Sequence, residues 1–273
     1  MTIKLVGLLL LLGPLQSLAH DIPRTADGRP NFNGVWQVMN TANFNLLSHP
    51  AEAALVYKEG QFRPLPADEV VSLGAVGAVP AGLGVVVGNE IPYKPEAKQR
   101  QVENRRHWLE RDPEIRCFLP GVPRANYMPF PFQIHQSESA FFITYEYAGA
   151  VRNILFEDPG EAPVDSWMGQ SVGRWEGDSL VVEVTGMNDS TWFDRAGNWH
   201  SAQMKVSERY TLVTPNVIEY EATIEDEEVF TRPWTIKMNV YRRYGMDAQL
   251  LQFKCIEFVE ELMYGELRKE QAE

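Results

Sequence analysis

The chain has 273 residues, 44% of them hydrophobic, with 37 acidic against 25 basic side chains and a formal net charge of −12. That length suits one large domain or one domain with an insertion. No cluster of Lys and Arg stands out, which argues against nucleic acid as a partner, because phosphate contacts need grouped positive charge. Internal repeats, coiled-coil heptads and phosphate loops are absent, as are Gly-x-Ser-x-Gly and His-Glu-x-x-His.

The opening MTIKLVGLLLLLGPLQSLA reads as a secretory signal over residues 1–19. Lys4 gives a basic start, Leu5 to Leu12 an apolar core, and Ser17-Leu18-Ala19 a small-x-small cleavage site. The apolar run is too short for a transmembrane segment, which takes about 20 residues. Residues 20–273 are therefore expected to form a single periplasmic or secreted domain. Ile22 to Asn33 is a turn-rich lead-in, and Phe32-Asn33-Gly34-Val35-Trp36 opens a first strand ending near Met39. An irregular insertion follows over about 45–90. Within it, Ser72 to Gly88 is apolar but broken by five Gly and one Pro. It reads as a flap over a cavity mouth, as a partner or membrane-surface contact, or as a packed loop. Pro95 to Glu110 predicts a surface helix, with Pro in its first turn and His107 facing solvent.

After a Pro/Gly loop from Arg116 to Arg124, apolar runs predict strands at Phe132–Gln136, Phe141–Tyr147, Val151–Phe156, Leu180–Thr185, Val206–Val213, Ile218–Ile224, Trp234–Arg242 and Leu250–Ile256. So many short strands predict a mainly β fold: an antiparallel barrel, with a β-sandwich as the alternative. Glu257 to Glu270 predicts a C-terminal helix. The two cysteines, Cys117 and Cys255, read as one disulfide in an oxidising compartment, with two buried thiols as the alternative.

The richest stretch runs from Gly173 to Tyr210. Gly177-Asp178 supplies a hairpin turn, since glycine and a short polar side chain tolerate positive φ. In Lys205 to Val213, Val206, Glu208, Tyr210 and Leu212 share one face of a strand, and Ser207, Arg209, Thr211 and Val213 the other. Glu208 thus lies among apolar neighbours, where an ionised carboxylate needs a cation or hydrogen-bond donors. An Arg partner is the bland reading and a catalytic carboxylate the sharper one.

Two resemblances add to this. Gly34-x-Trp36 on a first strand is similar to the lipocalin pattern, in which the Trp plugs one barrel end beneath an Arg from a late strand. Arg242, in phase with Trp234, Ile236, Met238 and Val240, is the matching residue, so the barrel is expected to be calycin- or lipocalin-like. The segments CFLPGVPR, PFQIHQ, GRWEGDSLVVEVTG, NDSTWFD, GNWHS, ERY, YEATIED and FTRPWT together resemble a family of uncharacterised secreted bacterial β-rich proteins. Their mature chains open on an IPRTADGRPNFNGVWQ-like segment. The resemblance spans the mature chain except about residues 45–90 and implies secretion, a β-rich fold and Cys117–Cys255 pairing. It brings no activity with it. The chain departs from the family at Ile256, where a Cys-His-Glu run is expected, which weakens any role for a late His.

Three chemistries are compatible with these residues. His20, as a new N-terminus, could bind copper with His135 or His200, and His135, His200 and a carboxylate could bind zinc. Neither set has diagnostic spacing, so no metal or other cofactor is assigned. Acid–base catalysis would centre on His200, Glu208 and Asp194, with Tyr145, Arg152, Trp192, Arg209, Tyr210 and His135 binding substrate. This describes a cofactor-independent lyase, hydratase, isomerase or cyclase acting on a small, partly apolar molecule. The alternative is a non-catalytic, lipocalin-like carrier of such a molecule, with the abundant aromatics lining its pocket.

Overall fold

The computed structural model describes residues 21–51, 79–245, 248–257 and 259. The expected signal segment, His20, much of the insertion and nearly all of the expected C-terminal helix lie outside the described residues. Nine strands close into one barrel: β1 (Gly34–Val38), β2 (Phe132–Gln136), β3 (Phe141–Tyr145), β4 (Val151–Leu155), β5 (Gln170–Glu176), β6 (Ser179–Thr185), β7 (Lys205–Thr214), β8 (Val217–Glu225) and β9 (Trp234–Arg242). Each pairs with its neighbours in sequence, and β9 returns to β1, with Trp36 opposite Arg242. Closure excludes the sandwich. It also gives every strand a neighbour on both sides without a partner sheet.

Three expectations are corrected. One pairing is parallel rather than antiparallel: β4 meets β5 only at Ile154–Ser171 and Leu155–Val172. Strand β5 was missing from the predicted strand order. Its fully buried positions are Ser171 and Gly173, and on that face only the partly buried Trp175 is apolar, so it shows no apolar alternation. Leu250–Ile256 is not a strand, because β9 already closes on β1 and leaves no edge for it. That run is held instead by the Cys117–Cys255 disulfide, by Phe253 against Phe130 and Tyr147, and by a hydrogen bond from Leu251 N to Glu146 (2.7 Å).

The core fills the barrel with the inward faces of the long strands: Val206, Tyr210 and Leu212 on β7, Ile218, Tyr220 and Ile224 on β8, and Trp234, Ile236 and Val240 on β9. Trp36 is fully buried at one end, its Nε1–H bonded to Phe32 O at 2.8 Å. The Arg242 guanidinium lies over its ring at 4.2 Å and donates to Asn33 O (2.5 Å) and Pro215 O (3.0 Å). This close crossing explains the glycine of Gly34-x-Trp36. Gly34 has φ +141°, and a Cβ there would lie 2.1 Å from Arg242 Nη1.

The helix expected over 95–110 forms as α1 (Pro95–Arg106) and a single turn, α2 (Trp108–Arg111), with the break at His107. His107 is half-buried and sits within salt-bridge reach of Glu103 (3.1 Å). One face of α1 packs on the 193–199 loop through Ala97, Gln101 and Asn104, and Trp199 Nε1–H donates to Ala97 O (3.1 Å). Of the apolar segment 72–88, the described part is a loop anchored at two points, with Val79 and Val86 buried and Lys237 N on β9 donating to Val85 O (2.8 Å), while Leu83 and Val87 are exposed.

Gly34→Ala should force Arg242 off Trp36 and also strain the backbone, costing about 2–4 kcal/mol. Urea unfolding with tryptophan fluorescence checks this, and an unchanged midpoint would show that the Arg242 contact is loose.

Candidate functional site

Inside the barrel, the buried carboxylate of Glu208 is the hub of one polar cluster. Its Oε1 accepts from Asn126 Nδ2 (2.9 Å), Arg152 Nη1 (3.1 Å), Tyr210 OH (3.0 Å) and Tyr220 OH (2.7 Å), and Oε2 accepts from Arg152 Nη2. Tyr145 OH donates to Asn126 Oδ1 (2.8 Å), and Arg152 Nε donates to Ser171 Oγ (2.8 Å). The set therefore draws on β3, β4, β5, β7 and β8, with Asn126 reaching in from the turn before β2. Period-2 alternation places each of these strand residues inward among apolar neighbours. Burial opposes the charge of Arg152, but the Glu208 carboxylate outweighs it and holds the guanidinium pKa well above the ordinary value. Burial likewise raises Tyr145, Tyr210 and Tyr220, so all three remain protonated donors at neutral pH.

The short β4–β5 pairing leaves a seam in the barrel wall, and a groove of about 330 Å³ opens there. Val151, Leu155, Val164 and Met168 supply apolar walls, and the buried Arg152 and Ser171 line it from the barrel side. Among the described residues, no Asp or Glu lines the groove, in a chain that carries 37 of them.

His200 and Asp194 do not join this cluster. His200 is buried, with Nδ1 2.8 Å from Ser201 O and Nε2 2.6 Å from Thr191 Oγ1. The carbonyl fixes the proton on Nδ1, so Nε2 accepts from the threonine hydroxyl. Burial lowers the His200 pKa, which keeps the ring neutral. Asp194 fastens two loops together: it accepts from Leu46 N (2.8 Å), Asn198 Nδ2 (2.6 Å) and Asn198 N (3.2 Å). Burial pushes its carboxyl up to about 6, against the pull of those hydrogen bonds. Trp192 is buried and bridges Trp199 in the same loop.

Two predicted substrate-binding residues face solvent. Arg209, on the outer face of β7, pairs with Glu176 at 2.5 Å, and His135 lies exposed on β2. The alternation that turns Glu208 inward turns Arg209 out. Of the nine predicted site residues, Glu208, Arg152, Tyr145 and Tyr210 converge. Asn126, Ser171 and Tyr220 complete the cluster and were missed. Tyr220 was legible, lying in phase with Ile218 and Ile224, but Asn126 and Ser171 give no signal in sequence.

A second buried network is structural. Arg124 bonds Asp112 (2.9 and 3.1 Å), Glu114 (2.7 Å) and Asn43 (2.8 Å), and Arg195 also reaches Glu114 (2.9 Å). Burial raises Glu114, but Arg195 and Arg124 outweigh it and hold the carboxyl at about 2. Among the described residues, no group of three or more His, Cys, Asp and Glu side chains is placed to hold a metal ion. No described helix is long and apolar enough to cross a membrane. No family model, curated protein sequence or solved structure matches this chain.

Removing one partner of the Arg152–Glu208 pair strands a buried charge. Glu208→Gln and Arg152→Met should each cost about 3–5 kcal/mol, and the double variant should fall short of their sum by about 2 kcal/mol or more. Denaturant unfolding of all four proteins measures the coupling, and strict additivity would show that the pair is not coupled.

Asp194 gives a pH prediction of known sign. Its folded pKa of about 6 exceeds the ordinary 3.8, so the folded state holds the proton to higher pH than the unfolded state. Stability attributable to Asp194 is present below pH 3.8 and lost as pH rises to about 6, a change of about 3 kcal/mol. The wild-type minus Asp194→Asn stability difference should decline across that window and then level off. A difference that is flat with pH would mean an unshifted carboxyl.

Proposed function

We propose that this barrel binds a small, partly apolar organic molecule in the β4–β5 groove. Arg152 and Ser171 orient the ligand, and the Glu208 cluster holds Arg152 in place. One observation carries the reading: the buried Arg152 and Ser171 are among the residues that line a groove whose other walls are mostly apolar, the composition of a small-molecule site. The protein is read as a lipocalin-like carrier working in the periplasm or outside the cell. The closed barrel, the Arg242-over-Trp36 plug and the disulfide support that assignment.

An acid–base enzyme of the lyase, hydratase, isomerase or cyclase type is the second reading. In its favour, Glu208, Arg152, Tyr145 and Tyr210 belong to one connected hydrogen-bonded set. Such chemistry would run through Glu208 and the tyrosines, because His200 and Asp194 hold loops. The carrier is preferred because five donor contacts already occupy the Glu208 carboxylate, leaving little acceptor capacity for a substrate proton.

Native mass spectrometry of protein purified from its export compartment, compared with its denatured mass, tests the reading. A retained mass of a few hundred daltons is expected, and Val164→Asp, at the exposed lip of the groove, should lose it. Retention unchanged by that substitution would place the ligand elsewhere. A bare chain that takes up nothing from an extract would count against both readings. Turnover of the retained compound, lost in Glu208→Gln, would favour the enzyme.

A further inference from the structure

Arg152 carries five N–H groups, and four are accounted for. Nε–H goes to Ser171, one Nη1–H to Glu208 and the other to Tyr210 OH (3.3 Å), and one Nη2–H to Glu208 Oε2. The fifth, the second hydrogen on Nη2, has no partner among the described residues. Guanidinium geometry fixes where it points. Glu208 grips the edge formed by Nη1 and Nη2, so the remaining Nη2–H runs parallel to Nε–H, along the edge that faces Ser171. That is the β5 side of the seam, where the groove lies. Ser171 accepts from Arg152 Nε, which leaves its own hydroxyl hydrogen free to donate. Two residues that line the groove thus each keep one donor to spare, on side chains that touch each other: Arg152 Nη2–H and Ser171 Oγ–H.

Charge decides what they take. Glu208 already neutralises Arg152 with both carboxylate oxygens. A carboxylate or phosphate ligand would add a second anion beside Glu208, with no further Lys, Arg or His among the groove residues to offset it. A carbonyl oxygen brings two lone pairs and no charge, which matches two donors. We propose that the groove recognises a neutral carbonyl group, as in a ketone, ester, lactone or amide, with its apolar body against Leu155, Val164 and Met168. This identifies the ligand class and rests on the binding reading above.

The test uses three probes of similar size on the full chain: acetophenone, benzoate and ethylbenzene. Binding is followed by the ¹⁵N–¹H signal of Arg152 Nε and by calorimetry. Acetophenone should shift the Arg152 signal and bind about tenfold or more tightly than either benzoate or ethylbenzene. Ser171→Ala should weaken acetophenone about tenfold while leaving ethylbenzene unchanged. Val164→Asp, at an exposed position, serves as the groove variant if Ser171→Ala proves unstable, and it should weaken acetophenone too. Benzoate as the tightest probe would overturn the neutral-carbonyl assignment while leaving small-molecule binding intact, as would equal affinity for ethylbenzene. No response of the Arg152 signal to any probe at millimolar concentration would overturn the carbonyl assignment. A ligand retained in native spectra beside that silence would place binding elsewhere.

Discussion

The Arg152–Glu208 pair is the constraint around which this barrel is built. Neither side chain can be buried alone, because an unpaired charge in a low-dielectric interior costs several kcal/mol. The protein surrounds the pair with enough donors and acceptors to make its burial tolerable: three tyrosines, Asn126 and Ser171. Together the pair and its partners span five strands, so the cluster acts as a register lock. Slipping β7 by one residue would drive Arg209 inward and put Glu208 in water. The apolar residues of the barrel tolerate many arrangements, whereas the polar cluster is satisfied by one.

The Arg124 network plays a comparable part outside the strands. The segment around Asn43, the turn from Asp112 to Tyr127 and the loop carrying Arg195 have no ladder to hold them, and Arg124 and Glu114 between them tie all three. The 193–199 loop is held further by Asp194 and by α1. Gly197 shows how closely they fit: a Cβ there would lie 2.6 Å from Arg105 N. His200 belongs to the same packing. Its ring is neutral and saturated by Thr191 and the Ser201 carbonyl. That accounts for a histidine whose setting in sequence resembles a catalytic one.

Strand content was legible because period-2 alternation is strong in β7, β8 and β9, where buried and less buried positions alternate. The inward aim of Glu208 and Tyr210 followed from the same period, and an Arg partner for Glu208 was foreseen. The identity of that partner depended on closure, which brings β4 across the interior from β7. Local pattern carries no such long-range register. Strand β5 escaped because Ser171 and Gly173 occupy its inward positions. Gly173 has no room for a Cβ, which would lie 2.6 Å from Ile154 Cγ2. His200 and Asp194 show the same limit: they lie close together in sequence, yet His200 bonds within its own loop, Asp194 joins that loop to Leu46, and neither reaches the Glu208 cluster.

The position of the groove follows from topology. Tight turns join β5 to β6 and β7 to β8, and antiparallel pairing can then begin beside the turn. Between β4 and β5 the chain must instead return to the starting end before running parallel, and residues 156–169 make that journey. The parallel ladder catches only two residue pairs, so the wall is thin along the rest of β4. Arg152 sits on this strand, at the edge of the open stretch. Among the described residues, the one parallel strand pairing and the one buried cation of the barrel interior therefore meet at one place in the wall. The proposed binding site there needs no central cavity, so the barrel can keep a packed, register-locked core beneath the groove.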